Sequence, residues 1–397
     1  MALNWNRIVA RRAEKLAPLP FEDLAGIRQL DDVIFFAGGT PPVELLPIPR
    51  LRQAVADVWE DPSRFLYYGE PQGHKPLRRI IADRMSARGV DVDPGQVMVT
   101  NGSQQGLDLI ARTLLDPGAV VVVEGPTYFG AVQLFDGYEV TYRVAPLDSD
   151  GLIPDALEAI FAQEPRPSAL YTVPTFQNPT GVTISAERRR DIIQLSHRYN
   201  VPIIEDDPYG ELYFSGNDTP PLRALDPNVV YLGSFSKTLA PALRMGWMVM
   251  PEALIPPLTN AKEAVDIHSD RVTQRAVASA ISDGWLDQHL NDARRVYAAR
   301  CQRMLAALDE HMPQGTRWIT PGGGFFIWVT LPGEITGNAL LPAAGRHGVA
   351  FYPGSAFYPD RRQEPTLRLG FSTLPEPTID KGIRRLGLAT AEMIERG

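Results

Sequence analysis

Lys237 stands in the run Ser234-Phe235-Ser236-Lys237-Thr238, with Arg244 a short distance downstream. The apolar stretch Val229-Val230-Tyr231-Leu232-Gly233 leads into it, so the chain delivers a lysine at the end of a buried strand. An ammonium is costly to bury. Either this one reaches solvent or its surroundings push it toward the neutral, nucleophilic amine. Ser234, Ser236, Thr238 and Arg244 are donors of the kinds that hold a phosphate dianion. A nucleophilic amine beside a phosphate site suggests a phosphorylated aldehyde cofactor held as a Schiff base.

Other stretches carry matching chemistry. Val97-Met98-Val99-Thr100 runs into Asn101-Gly102-Ser103-Gln104-Gln105-Gly106 and then an apolar-faced helix, and a strand, a Gly/Ser turn and a helix N-terminus together form an anion site. It is neither a P-loop nor a G-x-G-x-x-G turn. A second strand ends in Glu205-Asp206-Asp207-Pro208-Tyr209. Three acids there invite a magnesium reading, yet no nucleotide-binding loop accompanies them; one carboxylate aimed at a cationic ring nitrogen fits Lys237 better. Gly38-Gly39 is either a turn or a place where backbone comes close to a ligand. The six histidines lie far apart and Cys301 is the single cysteine, so no metal-ligand spacing and no internal disulfide framework is present.

The elements that must position these residues alternate. Strands are expected at 97–100, 120–123, 140–143, 169–173, 201–204, 229–233 and 247–250. Helices are expected at 49–59, from Pro76, after Gly102, at 154–161 and from a Ser185 cap to Tyr199. Continuous apolar strands between helices mean a largely parallel sheet covered on both faces, an α/β architecture whose ligands bind at the carboxyl ends of the strands. Residues 1–30 read as an amphipathic helix, 256–308 as one long helical region, and 310–397 as short strands and helices with a closing helix from 378 to 396. A chain of 397 residues exceeds the usual size of one core. The expected division is an arm and part of a small domain at 1–48, a large cofactor-binding domain at 49–290, and a small α+β domain completed by 291–397.

The composition, 44% apolar and 22% charged with a net charge of −8, is that of a globular protein with no general attraction to nucleic acid or anionic membrane. No apolar run approaches the roughly 20 residues that span a bilayer. The charged N-terminus does not read as a signal peptide, and the expected location is cytoplasmic.

Taken together, Tyr68-x-x-x-x-Gly73, Asn101-Gly102-Ser103-Gln104, Tyr128, Asn178-Pro179-Thr180-Gly181, Asp206-Asp207-Pro208-Tyr209, Ser234-x-Ser236-Lys237 with Arg244, and Arg368 resemble the class I/II aminotransferases of the fold-type I pyridoxal-phosphate superfamily. The wording of Phe36-Ala37-Gly38-Gly39 and Ser236-Lys237-Thr238-Leu239-Ala240-Pro241 is most similar to the 2-aminoadipate/multisubstrate branch. The resemblance implies an enzyme that moves the amine of an L-amino acid to a 2-oxo acid by way of a lysine internal aldimine and a pyridoxamine intermediate. It implies that Lys237 carries pyridoxal 5′-phosphate and moves the proton, that Asp206 pairs with the ring nitrogen, and that Asn178 and Tyr209 contact the phenolic oxygen. Tyr128 is implied to stack on the ring, and Gly102, Ser103, Gln104, Ser234, Ser236 and Arg244 to hold the phosphate. Tyr68 is implied to reach that phosphate from the partner of a homodimer, and Arg368 to hold the substrate carboxylate with Asn178 and the Gly39 backbone.

One departure bears on the substrate. Glu22 stands where aminoadipate-preferring relatives carry an arginine, with Arg28 nearby but out of register, which shifts expectation toward apolar, aromatic or basic side chains. Decarboxylation, β-elimination, racemisation and oxidation on the same site are alternatives to transamination. A ligand-sensing regulator of the MocR kind is a further alternative, but the cofactor pattern begins too early in the chain to leave room for a DNA-binding domain.

Overall fold

The computed structural model describes residues 3–16, 24, 32–216 and 219–396. Its larger sheet contains β1 (Val97–Thr100), β2 (Val120–Gly125), β3 (Thr141–Asp148), β4 (Gly151–Leu152), β5 (Ala169–Thr172), β6 (Ile203–Asp206), β7 (Val230–Ser234) and β8 (Gly246–Val249). Their spatial order is β1-β8-β7-β6-β5-β2-β3-β4. The run from β7 to β3 is parallel, whereas β8 lies antiparallel to both β1 and β7, and β4 antiparallel to β3.

Side-chain alternation divides this sheet between two apolar layers. Val121, Val123, Tyr171, Ile204, Leu232 and Met248 face a cluster shared with Leu107 and Ile110 of the helix Gly102–Leu114. Val122, Leu170 and Ile203 face the opposite cluster, where Phe161, Ile192 and Leu195 come from the helices Pro154–Phe161 and Ala186–Tyr199. Burial on both faces explains why the strands read as unbroken apolar runs, since each fully covered Val or Ile contributes about 1.5–3 kcal/mol. The Ser185 hydroxyl accepts from Arg188 N and starts the last helix, as its sequence predicts.

A second, antiparallel sheet is built from β9 (Arg317–Trp318), β10 (Phe326–Thr330), β11 (Tyr352–Pro353) and β12 (Thr366–Gly370), in the order β9-β10-β12-β11. The chain's early segment lies beside it: Ile34 and Phe35 pair in parallel with Val349 and Ala350 as a separate two-stranded sheet, and Gly370 N of β12 donates to the Phe36 carbonyl at 2.7 Å. The α/β architecture with a separate sheet tied to both ends of the chain therefore agrees with expectation.

Three local expectations are corrected. Within 3–16 the chain forms a single 3-10 turn, Trp5–Arg7, and a four-residue helix, Arg11–Glu14, in place of the start of one long helix. The region 256–308 is three helices, Ile255–Asp266, Arg271–Ala280 and Trp285–His311. Ile267 at φ 64° ends the first, Asp270 caps the second, and Asp283-Gly284, both at positive φ, separate the second from the third. The strand expected at 201–204 is shifted to 203–206, so Asp206 is its last residue. Among the described residues no helix is long and apolar enough to cross a membrane.

Candidate active site

Five loops meet at the carboxyl ends of the larger sheet because five strands, β1, β2, β5, β6 and β7, deliver them there. At the end of β6, alternation sorts the three acids. Asp206 points one way and accepts from Tyr171 Oη at 2.8 Å through Oδ2, while its buried Oδ1 has no partner. Glu205 points the other way and accepts the amides of Leu222 and Arg223 at 2.8 and 2.9 Å. Asp207 accepts from Gly210 N at 2.9 Å and Arg88 at 2.8 Å, so it shapes the turn that carries Tyr209. Burial, above all, pushes the Asp206 carboxyl up to about 7; the Tyr171 hydroxyl and Lys237 oppose that push, and Asp207 and Glu124 add to it.

Lys237 follows β7 and donates from Nζ to the Gly39 carbonyl at 2.7 Å. Burial, then the charges of Arg368 and Arg244, bring its amine down to about 8 against the pull of Asp206. The lysine is therefore neither an exposed cation nor a surface ion pair, and near neutral pH a fraction of it is free amine.

Arg368 comes from β12, so the second sheet supplies the other half of the site. Its guanidinium donates to Asn178 Oδ1 at 2.7 Å and to the Ala37 carbonyl at 2.9 Å, and its buried Nε has no partner. The Phe326 ring lies 3.9 Å from Cζ, with Tyr352 and Phe357 at 5.1 and 5.0 Å. Such rings keep a desolvated guanidinium favourable without neutralising it, and burial brings Arg368 down to about 10. Any side chain at Gly39 would displace the Phe326 ring, because a Cβ would stand 2.6 Å from Phe326 Cζ.

The turn 102–104 meets Arg244 at the N-terminus of the helix Gly102–Leu114. Gly102 has φ +75°, and a Cβ on it would lie 2.5 Å from Arg244 Nη2, so the cation closes over bare backbone. Ser234 Oγ accepts from Ser236 N at 3.1 Å, and Thr238 Oγ1 is buried without a partner. Gln104 donates its side-chain amide to the Gly130 carbonyl at 2.9 Å, leaving its backbone for any anion. Tyr128 lies against Gly130, where a Cβ would come within 2.4 Å of its ring. Burial raises the Tyr128 phenol to about 12, keeping it neutral.

A family model for aminotransferase class I and II matches residues 31–386. The chain is 37% identical to aromatic-amino-acid aminotransferase 1 of Thermococcus litoralis, over 99% of this chain and 96% of that protein. The chain belongs to the class I and II aminotransferases. Its fold follows a multiple substrate aminotransferase of Thermococcus profundus with a TM-score of 0.94 and 38% identity, covering 100% of both chains. It is also similar to LysN, the α-aminoadipate aminotransferase of Thermus thermophilus solved with N-(5′-phosphopyridoxyl)-L-leucine, at a TM-score of 0.91, 35% identity and 100% coverage of both. It is a pyridoxal 5′-phosphate-dependent aminotransferase, as its resemblance implied.

The aminotransferase's residues fit that cofactor on their own chemistry. Oδ1 of Asp206 and the Thr238 hydroxyl are buried polar atoms awaiting partners, Lys237 is a depressed amine, and Arg244 lies over a turn that only glycine permits. The structure brings together Lys237, Asp206, Tyr209, Tyr128, Asn178, Gly39 and Arg368, with Gly102, Ser103, Gln104, Ser234, Ser236 and Arg244 around the N-terminus of the helix Gly102–Leu114. Tyr68 is the residue left out: it is 81% exposed, edge-on to His268 at 5.9 Å. Glu22 and Arg28 lie outside the described residues.

Three participants escaped the sequence. Tyr171 lies mid-strand among apolar neighbours, and nothing in its spacing marks it. Phe326 reads as core. Glu124, also buried in a strand, accepts from Thr172 Oγ1 at 2.5 Å and from Gln177 Nε2 at 2.9 Å, while Gln177 also donates to the Pro126 carbonyl at 2.8 Å. One buried acid thus ties the loop of Tyr128 to that of Asn178. A carboxylate inside an otherwise apolar run was the available signal.

Proposed function

We propose that this aminotransferase takes large apolar and aromatic L-amino acids as amine donors, with a 2-oxo acid such as 2-oxoglutarate as acceptor, in a homodimer that shares its active sites. The observation that carries the reading is the placement of Arg368 beside Lys237: a buried guanidinium with an idle Nε next to an amine it helps to depress. One group suits the substrate carboxylate and the other its Cα proton. Phe326, edge-on to Tyr209 and 3.9 Å from Arg368 Cζ, gives this end of the site an aromatic surface that favours an apolar side chain. The relatives named for aromatic and multiple substrates support this, as does Glu22 in the sequence.

In this reading Arg244, Ser234, Ser236 and the amides of Gly102, Ser103 and Gln104 hold the cofactor phosphate. Asp206, with its unpartnered Oδ1, would pair with the ring nitrogen, Asn178 and Tyr209 would contact the phenolic oxygen, and Tyr128 would stack on the ring. Bound there, pyridoxal phosphate supplies an aldehyde for the amine and a ring that takes up the electron pair released at Cα. Lys237 would anchor the cofactor through Nζ, and the same amine would take the Cα proton and return it. Arg368, oriented by Asn178 and Ala37, fixes the carboxylate and so sets which Cα bond faces that amine. The large part is taken as 49–290 and the small part as 1–48 with 291–397, the helix Trp285–His311 running through the second boundary.

A panel of amino acids added singly tests the reading. Phenylalanine, tyrosine, tryptophan and leucine are expected to change the bound cofactor's absorbance and release their 2-oxo acids, faster than 2-aminoadipate or aspartate does. Preference for the acidic substrates would overturn the substrate class, and release of ammonia without conversion of the cofactor would overturn transamination.

A further inference from the structure

Behind the phosphate turn lies a polar cluster that neither the cofactor nor the substrate reading uses. Lys262 is fully buried and donates from Nζ to both oxygens of Asp266, one helical turn later, at 2.6 and 2.7 Å, and to Ser269 Oγ at 3.0 Å. Asp266 Oδ2 also accepts from Asn101 Nδ2 at 2.8 Å and from Gln105 Nε2 at 2.7 Å. Gln105 Oε1 in turn accepts from Asn101 N at 2.8 Å. Asn101 and Gln105 are the residues immediately before and after Gly102–Gln104. One carboxylate oxygen therefore grips the phosphate turn at both ends.

The cluster is poorly explained as a tie between helices. Leu258 of the helix Ile255–Asp266 already shares an apolar cluster with Leu107 and Ile110 of the helix Gly102–Leu114. A buried ion pair adds little net stability compared with an apolar replacement, but it fixes geometry. Asp266 is itself rigidly placed: it is the last residue of its helix, and Ile267 follows at φ 64°, a conformation a β-branched residue adopts only when its surroundings impose it.

We propose that Asp266, charge-balanced by Lys262, is a positioning residue for the phosphate turn, holding Asn101 and Gln105 so that the amides of Gly102–Gln104 stay aimed at the cofactor phosphate. The inference rests on the phosphate assignment made under the proposed function. Without Asp266 the two amide side chains lose their common acceptor and the turn is free to relax, weakening every bond to the phosphate and none to the ring.

The test compares two ligands on apoenzyme, pyridoxal 5′-phosphate and unphosphorylated pyridoxal, by fluorescence titration. In Asp266→Ala, and more mildly in Asp266→Asn, the dissociation constant for the phosphorylated ligand is expected to rise about tenfold or more, since a charged hydrogen-bond hub is lost. Affinity for pyridoxal is expected to stay within about twofold. The phosphorus NMR resonance of the bound cofactor is expected to shift in Asp266→Asn at saturation. Equal weakening of both ligands, or unchanged affinity for the phosphorylated one, would mean that the cluster only braces the fold, and the proposal falls. Arg244→Ala separates the underlying reading: if it leaves phosphate-dependent affinity intact, the anion site lies elsewhere and the inference falls with it. If Arg244→Ala weakens binding and the Asp266 variants do not, only the positioning role is lost.

Discussion

Burial brings Lys237 from an ordinary 10.5 down to about 8, and Arg368 and Arg244 push in the same direction. Capture of pyridoxal phosphate by the apoenzyme is therefore expected to speed up with pH and level off above about 8, read by stopped-flow absorbance; an inflection at or above 10.5 would mean an unperturbed amine. The linkage has a definite sign. With the folded value below the unfolded one, the unfolded chain binds the proton more tightly, so apoenzyme stability rises with pH between about 8 and 10.5. Asp206 behaves oppositely: its carboxyl sits near 7 against an ordinary 3.8, so apoenzyme stability falls as pH rises through that window. Asp206→Asn is expected to leave the apoenzyme at least as stable above pH 7, the difference reaching on the order of a few kcal/mol, while transamination drops by about two orders of magnitude or more. Urea melts of the apoenzyme beside half-reaction rates check both parts.

At the scale of elements, the site is a joint between two sheets. The β6–β7 ends bring Asp206 and Lys237, while β12 brings Arg368, and Gly39 packs on Phe326 between them. Gly39→Ala puts a methyl where Phe326 stands and is expected to displace that ring from Arg368. The cost should be about 1–3 kcal/mol in amino-acid kcat/KM, carried mostly by KM, with cofactor affinity near wild type. A matching loss of cofactor affinity would show that Gly39 serves the cofactor end instead. Ser185→Ala, by contrast, removes a helix cap on a side chain outside the named site residues and should cost about 1 kcal/mol of stability without changing kcat/KM.

For the molecule as a whole, the unassigned tyrosine is the informative one. Leu66, Tyr67 and Tyr68 are 62%, 77% and 81% exposed on one loop, pinned from behind by Arg271, which donates to the carbonyls of Tyr67, Tyr68 and Arg64. Three large exposed side chains on a braced loop fit a surface made to enter a second copy. Co-expressed Lys237→Ala and Tyr68→Ala chains test this. Each variant alone should be impaired, yet the mixture should recover about a quarter of wild-type activity, since half the dimers are hybrids with one intact site. No recovery would place Tyr68 in its own chain's site or outside any.

The sequence by itself determined what depends on local order: the strands, caps and turns of the larger sheet, Lys237 and Asp206 at strand ends, the glycine turn at 102, and the family. Those features are written in short windows, because helix and strand periods, capping side chains and positive-φ glycines are properties of a few adjacent residues. Tertiary structure alone decided where the other two acids go, Glu205 to the amides of Leu222 and Arg223 and Asp207 to Arg88 and Gly210. It decided that Gln104 turns its side chain to Gly130, and that Tyr171, Phe326, Glu124 and Asp266 stand behind the site. It also broke 256–308 into three helices. These depend on which face of a strand meets which neighbour and on contacts between residues far apart in sequence. Arg368 meets Asn178 across 190 positions, and only the packing of two sheets could bring them together.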